Sequence, residues 1–513
     1  MQVSTISRRG FLASAGLFAL GLQEHAVLGQ LAAAAPVTVR TTEGLLRGEQ
    51  SLGVNVFRGV PFAEPPVGPL RFRPPAQARA WTGERDATRF GAAPVQPGLP
   101  TVPHSEDCLT LNLWAPQGKG PFPVYVWIHG GGFTGGRASD SMFDGTALAQ
   151  AGIVCVTVAY RLGVFGFLDM EPLLGSSYAG SANNAVHDLI LALEWVKKNI
   201  AEFGGDPGRV TVGGESAGAK LTDILLGVPS AHGLFHQGIS ESGGAERVWF
   251  KDQSATVSRG FGQLWRLRTG NLEAGLATAD PGALIDVQVE FMRTWPQHFP
   301  LRAAVDGVLI PRKPVETIAG GSGAAKRVLI GTNREESAAF LGPHPDHDPG
   351  PGDLGNIPVD RFKPVFERYK EIYPQMTDEV RRIRAATAEE YWVPSVRVAE
   401  AVLKSGGRVY MYRMDFSETT GPMRGYAFHA LDTRLVWNRP SLVAGNGAAE
   451  AALAGQMSSA WMAFIRGEAP AAADMPVWPE FNLATRSTMI LDTPNHVDQQ
   501  PQEAELKLWD EIL

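Results

Sequence analysis

Runs of apolar residues with two different periods alternate along this chain. Val124-Tyr125-Val126-Trp127-Ile128 and Ile153-Val154-Cys155-Val156-Thr157-Val158 are apolar almost throughout, the mark of strands covered on both faces. Val210-Thr211-Val212, the run around Val328-Leu329-Ile330 and Arg408 to Met414 predict three more strands. Shorter candidates lie at Thr38–Thr41 and Gly53–Phe57, and Ser105 to Trp114 alternates like a strand. Between Asn184 and Glu202 the period changes. Val186, Leu189, Ile190, Leu193, Val196 and Ile200 recur at helical spacing, and Gly204-Gly205-Asp206-Pro207 ends that helix. Ala449 to Ile465 predicts a further helix closed by Gly467. Trp249 to His298 reads as helical and less patterned, an insertion able to cap a sheet. From Phe57 to Phe72 prolines recur every few residues, which predicts a fixed irregular segment without a ladder. Strands alternating with helices imply an α/β fold with a large, mostly parallel sheet covered on both faces. In such sheets ligands sit at the carboxyl ends of the strands.

Two glycine-rich stretches fall at those ends. Val210-Thr211-Val212 leads into Gly213-Gly214-Glu215-Ser216-Ala217-Gly218, followed by residues that continue as a helix. Gly-x-Ser-x-Gly between a strand and a helix predicts a sharp turn with Ser216 at its apex. Glycine is needed on both sides because larger residues would clash there. The helix N-terminus beside Ser216 favours negative charge, as a serine nucleophile requires when it creates an oxyanion. Val124–Ile128 runs into His129-Gly130-Gly131-Gly132-Phe133. Three glycines there let the backbone approach a ligand, so Gly131 and Gly132 are candidate oxyanion donors, with the N–H of Ala217 as a third.

Composition narrows the classes. The chain has 513 residues, 44% hydrophobic and 19% charged, with net charge −7 and no basic tract, which argues against a nucleic-acid partner. No apolar run reaches the length of a membrane span. At the N-terminus Ser7-Arg8-Arg9-Gly10-Phe11-Leu12 precedes an Ala- and Gly-rich apolar run, and Ala32 to Ala35 offer small residues for cleavage. We expect residues 1–35 to be a twin-arginine-type export signal, leading to the periplasm or the medium, and 36–513 to be one catalytic domain. The two cysteines, Cys108 and Cys155, are expected to be free, since Cys155 lies in a buried strand.

Several segments, in order, resemble those of the type-B carboxylesterases and cholinesterases, a family of α/β-hydrolases. They are Phe57-Arg58-Gly59-Val60-Pro61-Phe62-Ala63, Glu106-Asp107-Cys108-Leu109, Tyr160-Arg161-Leu162-Gly163, Phe203-Gly204-Gly205-Asp206-Pro207 and Gly214-Glu215-Ser216-Ala217-Gly218. The resemblance covers the chain from Val37 onward. It implies an α/β-hydrolase fold and an ester hydrolase that works through an acyl-enzyme with no metal and no cofactor. Gly331-Thr332-Asn333-Arg334-Glu335-Glu336 is similar to the family's acid segment, which points to Glu336, and Ala427-Phe428-His429-Ala430-Leu431 to its histidine segment. The order Ser216, Glu336, His429 is that of α/β-hydrolases. His429 would take the serine proton and pass it to the leaving group, while Glu336 would hold the imidazole tautomer.

The chain also departs from the family. No cysteine stands upstream of Cys108 in Phe90–Pro97, and Gly98–Ser105 lacks the tryptophan with which cholinesterases hold a choline cation. Relatives read Pro-Val-Val-Asp-Gly where this chain has Ala303-Ala304-Val305-Asp306-Gly307, on the acyl side of the pocket. Phe133, Phe299 and Leu301 are candidate pocket residues, favouring a neutral alkyl or aryl ester. Arg302 is expected to be exposed rather than to meet an acidic acyl group. The same triad would serve amide, carbamate, thioester or lactone bonds. A non-catalytic binding protein is disfavoured because all three triad positions are filled.

Overall fold

The computed structural model describes residues 35–98, 101–445, 447–510 and 512; the proposed export segment lies outside them. The architecture is built on one 13-stranded sheet. Its strands are β1 (Ala35–Arg40), β2 (Leu45–Ser51), β3 (Val54–Pro61), β4 (Glu84–Asp86), β5 (Thr110–Pro116), β6 (Phe122–Ile128), β7 (Val154–Val158), β8 (Gly205–Glu215), β9 (Gln237–Glu241), β10 (Arg327–Asn333), β11 (Arg408–Met414), β12 (Thr488–Leu491) and β13 (His496–Asp498). They lie in the order β1-β2-β3-β5-β7-β6-β8-β9-β10-β11-β12-β13, with β4 on β2. From β7 to β12 every pairing is parallel. The strands on the β1 side pair antiparallel up to β7, apart from β4, which runs parallel to β2.

The predicted two-sided burial is visible along β6. Val124, Val126 and Ile128 join the core on one face, and Tyr125 and Trp127 join the core on the other. Side chains that alternate between two apolar layers need no polar position, hence the unbroken apolar run. Helices cover both faces, among them α1 (Asn184–Asn199), α2 (Ala217–Leu226), α3 (Lys251–Thr269), α4 (Pro281–Thr294), α5 (Val393–Lys404), α6 (Leu431–Val436) and α7 (Ala448–Ile465). The insertion expected between Trp249 and His298 supplies α3 and α4. No described helix is long and apolar enough to cross a membrane.

Register places the functional loops. Gly214 on β8 pairs with Ile128 on β6, Glu215 pairs with Glu241 on β9, and Glu241 pairs with Gly331 on β10. The glycine loop, Ser216, Ser242 and Glu336 therefore all leave the sheet at the same carboxyl edge.

Two expectations need correction. Phe57–Pro61 does form a ladder, as the end of β3: Val60 pairs with Leu111 and Pro61 with Thr110, after a register shift beyond Phe57. Pro61 is the last strand residue, where a missing N–H is tolerated, and Gly59 at φ 63° absorbs the irregularity. The strand predicted from Ser105 instead begins at Thr110, because backbone bonds such as Cys108 N–H to Glu106 O curl the preceding residues into turns. Cys108 and Cys155 are free and buried, as expected.

Candidate active site

Ser216 sits between β8 and α2 with φ 56° and ψ −120°, a conformation strained for any residue with a side chain. Its neighbours make the turn possible. A Cβ on Gly218 would lie 2.0 Å from the Ile128 carbonyl oxygen, and one on Gly214 would lie 2.5 Å from the same atom. Only glycine lets the start of α2 press against the end of β6. Ser216 N–H donates to Glu241 O at 2.9 Å, which ties the turn to β9.

His429 and Glu336 meet the serine in line. The imidazole Nδ1 lies 2.6 Å from Glu336 Oε2, and Nε2 lies 2.8 Å from Ser216 Oγ. A carboxylate only accepts, so Nδ1 carries the proton and Nε2 is free to accept from the hydroxyl. Glu336 is fully buried. Its Oε1 accepts from Asn333 N–H at 2.7 Å and from Ser242 Oγ–H at 2.5 Å. Glu335 faces elsewhere: its Oε2 accepts from Ala427 N–H at 3.1 Å, and its Oε1 pairs with Arg334. Ser216, Ser242, Phe133, Phe299 and Ala430 all hold positive φ, so strained backbone gathers around this centre.

The glycine loop closes the other side. Gly131 and Gly132 have φ 115° and 61°. Among the described residues no protein acceptor takes the N–H of Gly131, Gly132 or Ala217. The loop is held by His129, whose Nδ1–H donates to Gly130 O at 2.9 Å and whose ring stacks on Tyr160 at 4.5 Å. Burial pushes the His129 pKa down to about 4, so the ring stays neutral.

Sequence reasoning missed a group of buried carboxylates behind the serine. Glu215 Oε1 lies 3.2 Å from His429 Nε2, and burial pushes the Glu215 pKa up to about 8. Glu241 accepts from Trp461 Nε1–H, and Asp432 from Tyr412 OH and Asn333 Nδ2–H; burial raises both pKa values. Burial alone would lower the pKa of His429, but the carboxylates of Glu215 and Glu336 outweigh it and raise the value. Glu215 could have been noticed, as it stands inside the Gly-x-Ser-x-Gly motif. Ser242 follows β9, whose Gln-Gly-Ile-Ser-Glu sequence gives little sign of a strand.

Of the three candidate pocket residues, Phe299 packs on the glycine loop, its ring lying 3.0 Å from where a Cβ on Gly132 would be. Phe133 is fully buried against Phe167, and Leu301 belongs to the main core. Two rings that were not anticipated pack on His429: Phe340 at 5.1 Å and Tyr391 at 4.9 Å. Arg302 contradicts the expectation of an exposed side chain. It is 1% exposed, and its guanidinium donates to the carbonyls of Phe299, His298 and Gly355 at 2.5–2.7 Å. Those carbonyls satisfy its fork of donors, which is how an arginine can be buried.

A hydroxyl, an imidazole and a carboxylate in line at the carboxyl edge of a mostly parallel sheet, beside unpaired backbone amides, define a serine hydrolase of the α/β-hydrolase fold. The chain belongs to the carboxylesterase family, whose model matches residues 35–509. It is 35% identical to the para-nitrobenzyl esterase of Bacillus subtilis, over 90% of this chain and 96% of that one. It is 34% identical to the fumonisin B1 esterase of Sphingopyxis macrogoltabida, over 92% and 89%. Among solved structures, a PNB esterase superposes with a TM-score of 0.81 at 33% identity, covering 92% of this chain and 99% of that one. A Geobacillus stearothermophilus carboxylesterase superposes with a TM-score of 0.81 at 32% identity and the same coverage. The protein is a serine carboxylic ester hydrolase.

Proposed function

We propose that the protein cleaves neutral alkyl or aryl esters through an acyl-enzyme on Ser216. His429 Nε2 takes the hydroxyl proton as Oγ attacks the ester carbonyl, then delivers it to the leaving alkoxide. Glu336 fixes the tautomer and balances the imidazolium. The N–H groups of Gly131, Gly132 and Ala217 receive the oxyanion, aided by the N-terminus of α2. Water then attacks the acyl-enzyme with the same histidine as base. The observation that carries this reading is the continuous hydrogen-bonded line from Ser216 Oγ through His429 to Glu336, at 2.8 and 2.6 Å. The rings of Phe299, Phe340 and Tyr391 around it suit apolar burial of a neutral substrate, and the para-nitrobenzyl ester that names one relative is of that kind. Ser216→Ala tests the reading: the protein should stay folded and lose ester hydrolysis by several orders of magnitude. An active Ser216→Ala enzyme would overturn it.

We infer further that residues 1–35 route one catalytic domain, residues 36–513, to the periplasm or the medium. Arg8-Arg9 with the apolar run behind them supports this. Replacing both arginines by lysine should trap precursor in the cytoplasm, and normal export of that double variant would reject twin-arginine routing.

A further inference from the structure

Under the glycine loop lies a buried charged cluster with no part in the chemistry described so far. Arg247 is 1% exposed. Its guanidinium carbon lies over the Phe299 ring, 3.8 Å from the centroid, and 5.7 Å from the centroid of the Phe133 ring. It pairs with Glu390, the residue just before Tyr391. Glu390 also pairs with Lys220 at 3.0 Å, one turn along α2 from Ser216. Glu389, Glu390 and Tyr391 all turn inward because residues 388–392 form a π-helical turn. Such turns insert an extra residue and recur at functional sites.

Arg247 thus joins two walls of the active site. On one side Phe299 lies against Gly132. On the other, Tyr391 lies against His429. The leaving-group oxygen must sit beside His429, which protonates it; the rings against the imidazole are Phe340 and Tyr391, whereas Phe299 packs on the oxyanion glycine and so faces the acyl portion. We propose that Arg247 is a positioning residue that sets acyl-chain selectivity by clamping Phe299 against Gly132. This rests on the reading of Gly132 as an oxyanion donor. A cation held over a ring in a dry interior is a strong restraint. Without it the Phe299 ring can swing away and lengthen the acyl side.

The test compares wild type, Arg247→Met, Phe299→Ala and the double variant on p-nitrophenyl acetate, butyrate and octanoate, and on acetates of alcohols of graded size. A fluorophosphonate titration counts competent sites, so loss of folded enzyme is divided out. In Arg247→Met the octanoate-to-acetate ratio of kcat/KM should rise by about tenfold. Phe299→Ala should do the same, and the double variant should add little, because one ring carries both effects. The ratios across the alcohol series should stay within roughly twofold, as additive, independent sites do. An equal fall on every ester, a change confined to the alcohol series, or additive effects in the double variant would overturn the proposal. Should Arg247→Met not fold, Arg247→Lys, which keeps the charge but loses the flat face, must raise the same ratio; an unchanged ratio overturns the proposal. Failure of the wild type to be labelled at Ser216 would instead indict the function proposed above.

Discussion

Glu336→Gln should cost about 10⁴ in kcat/KM, or roughly 5 kcal/mol of transition-state stabilisation, by reversing one hydrogen bond. The carboxylate is fully buried and accepts from three donors: His429 Nδ1–H at 2.6 Å, Asn333 N–H at 2.7 Å and Ser242 Oγ–H at 2.5 Å. A glutamine amide has one oxygen and one NH₂. The oxygen will stay with the backbone N–H of Asn333, which has no alternative, and the NH₂ then faces Nδ1. That forces the other tautomer, with the proton on Nε2, and the ring can no longer accept from Ser216. Shape and packing are kept, so the melting temperature should barely move. Glu335→Gln is the control one residue away. Its side chain bonds Ala427 N–H and Arg334, an amide oxygen can still accept, and the loss should stay under about tenfold. The assay is kcat/KM for p-nitrophenyl butyrate, with active sites counted by fluorophosphonate. Equal losses at 335 and 336, or a loss below tenfold at 336, would refute the reasoning.

Gly218→Ala should separate catalysis from stability. Its Cβ would sit 2.0 Å from Ile128 O and 2.8 Å from His129 O, pushing α2 off the glycine loop. The expected cost is about 1–3 kcal/mol in stability by denaturant unfolding, with about 10²-fold in kcat/KM from misplacing Ser216 against the amides; activity within threefold of wild type would contradict this. Because His429 must be neutral to act as base and its pKa is raised, the acid limb of kcat/KM should lie above the ordinary value of 6.5. Glu215→Gln removes one of the carboxylates that raise it and should move that limb to lower pH; a limb that stays put or moves up would show that Glu215 does not act on the imidazole. A neutral ester with carbon in place of nitrogen should be cleaved with higher kcat/KM than its quaternary ammonium counterpart, since Gly98–Ser105 brings no aromatic residue. A preference for the cation that persists at high salt would contradict that expectation.

The readable parts of the fold were those imposed by local backbone demands. The two glycine stretches announced themselves because each must adopt conformations or contacts closed to other residues, and β6 and β7 because both their faces are covered. β9 was illegible: Gln237, Gly238 and Ser240 have no strand signature, and the strand exists only through its parallel neighbours β8 and β10. Ser242 and the buried Glu241 vanished with it. Arg302 shows a second limit. Its burial depends on the carbonyl of Gly355, 53 residues away in sequence, and no local pattern encodes that partner. The same holds for Arg247 and Tyr391, brought together by the turn at 388–392. His429 and Glu336 were legible only through resemblance to a family, since one histidine among 11 carries no mark of its own.

The central claim is a covalent intermediate on Ser216, and its most direct measurement is the intermediate itself. Acid-quenching the enzyme within milliseconds of mixing with p-nitrophenyl acetate, then digesting and weighing the peptides, should find one acetyl group on the peptide carrying Ser216 and none in the Ser216→Ala variant. The acetylated fraction should track the burst of p-nitrophenol. An acetyl group on another residue, turning over at the catalytic rate, would contradict the account.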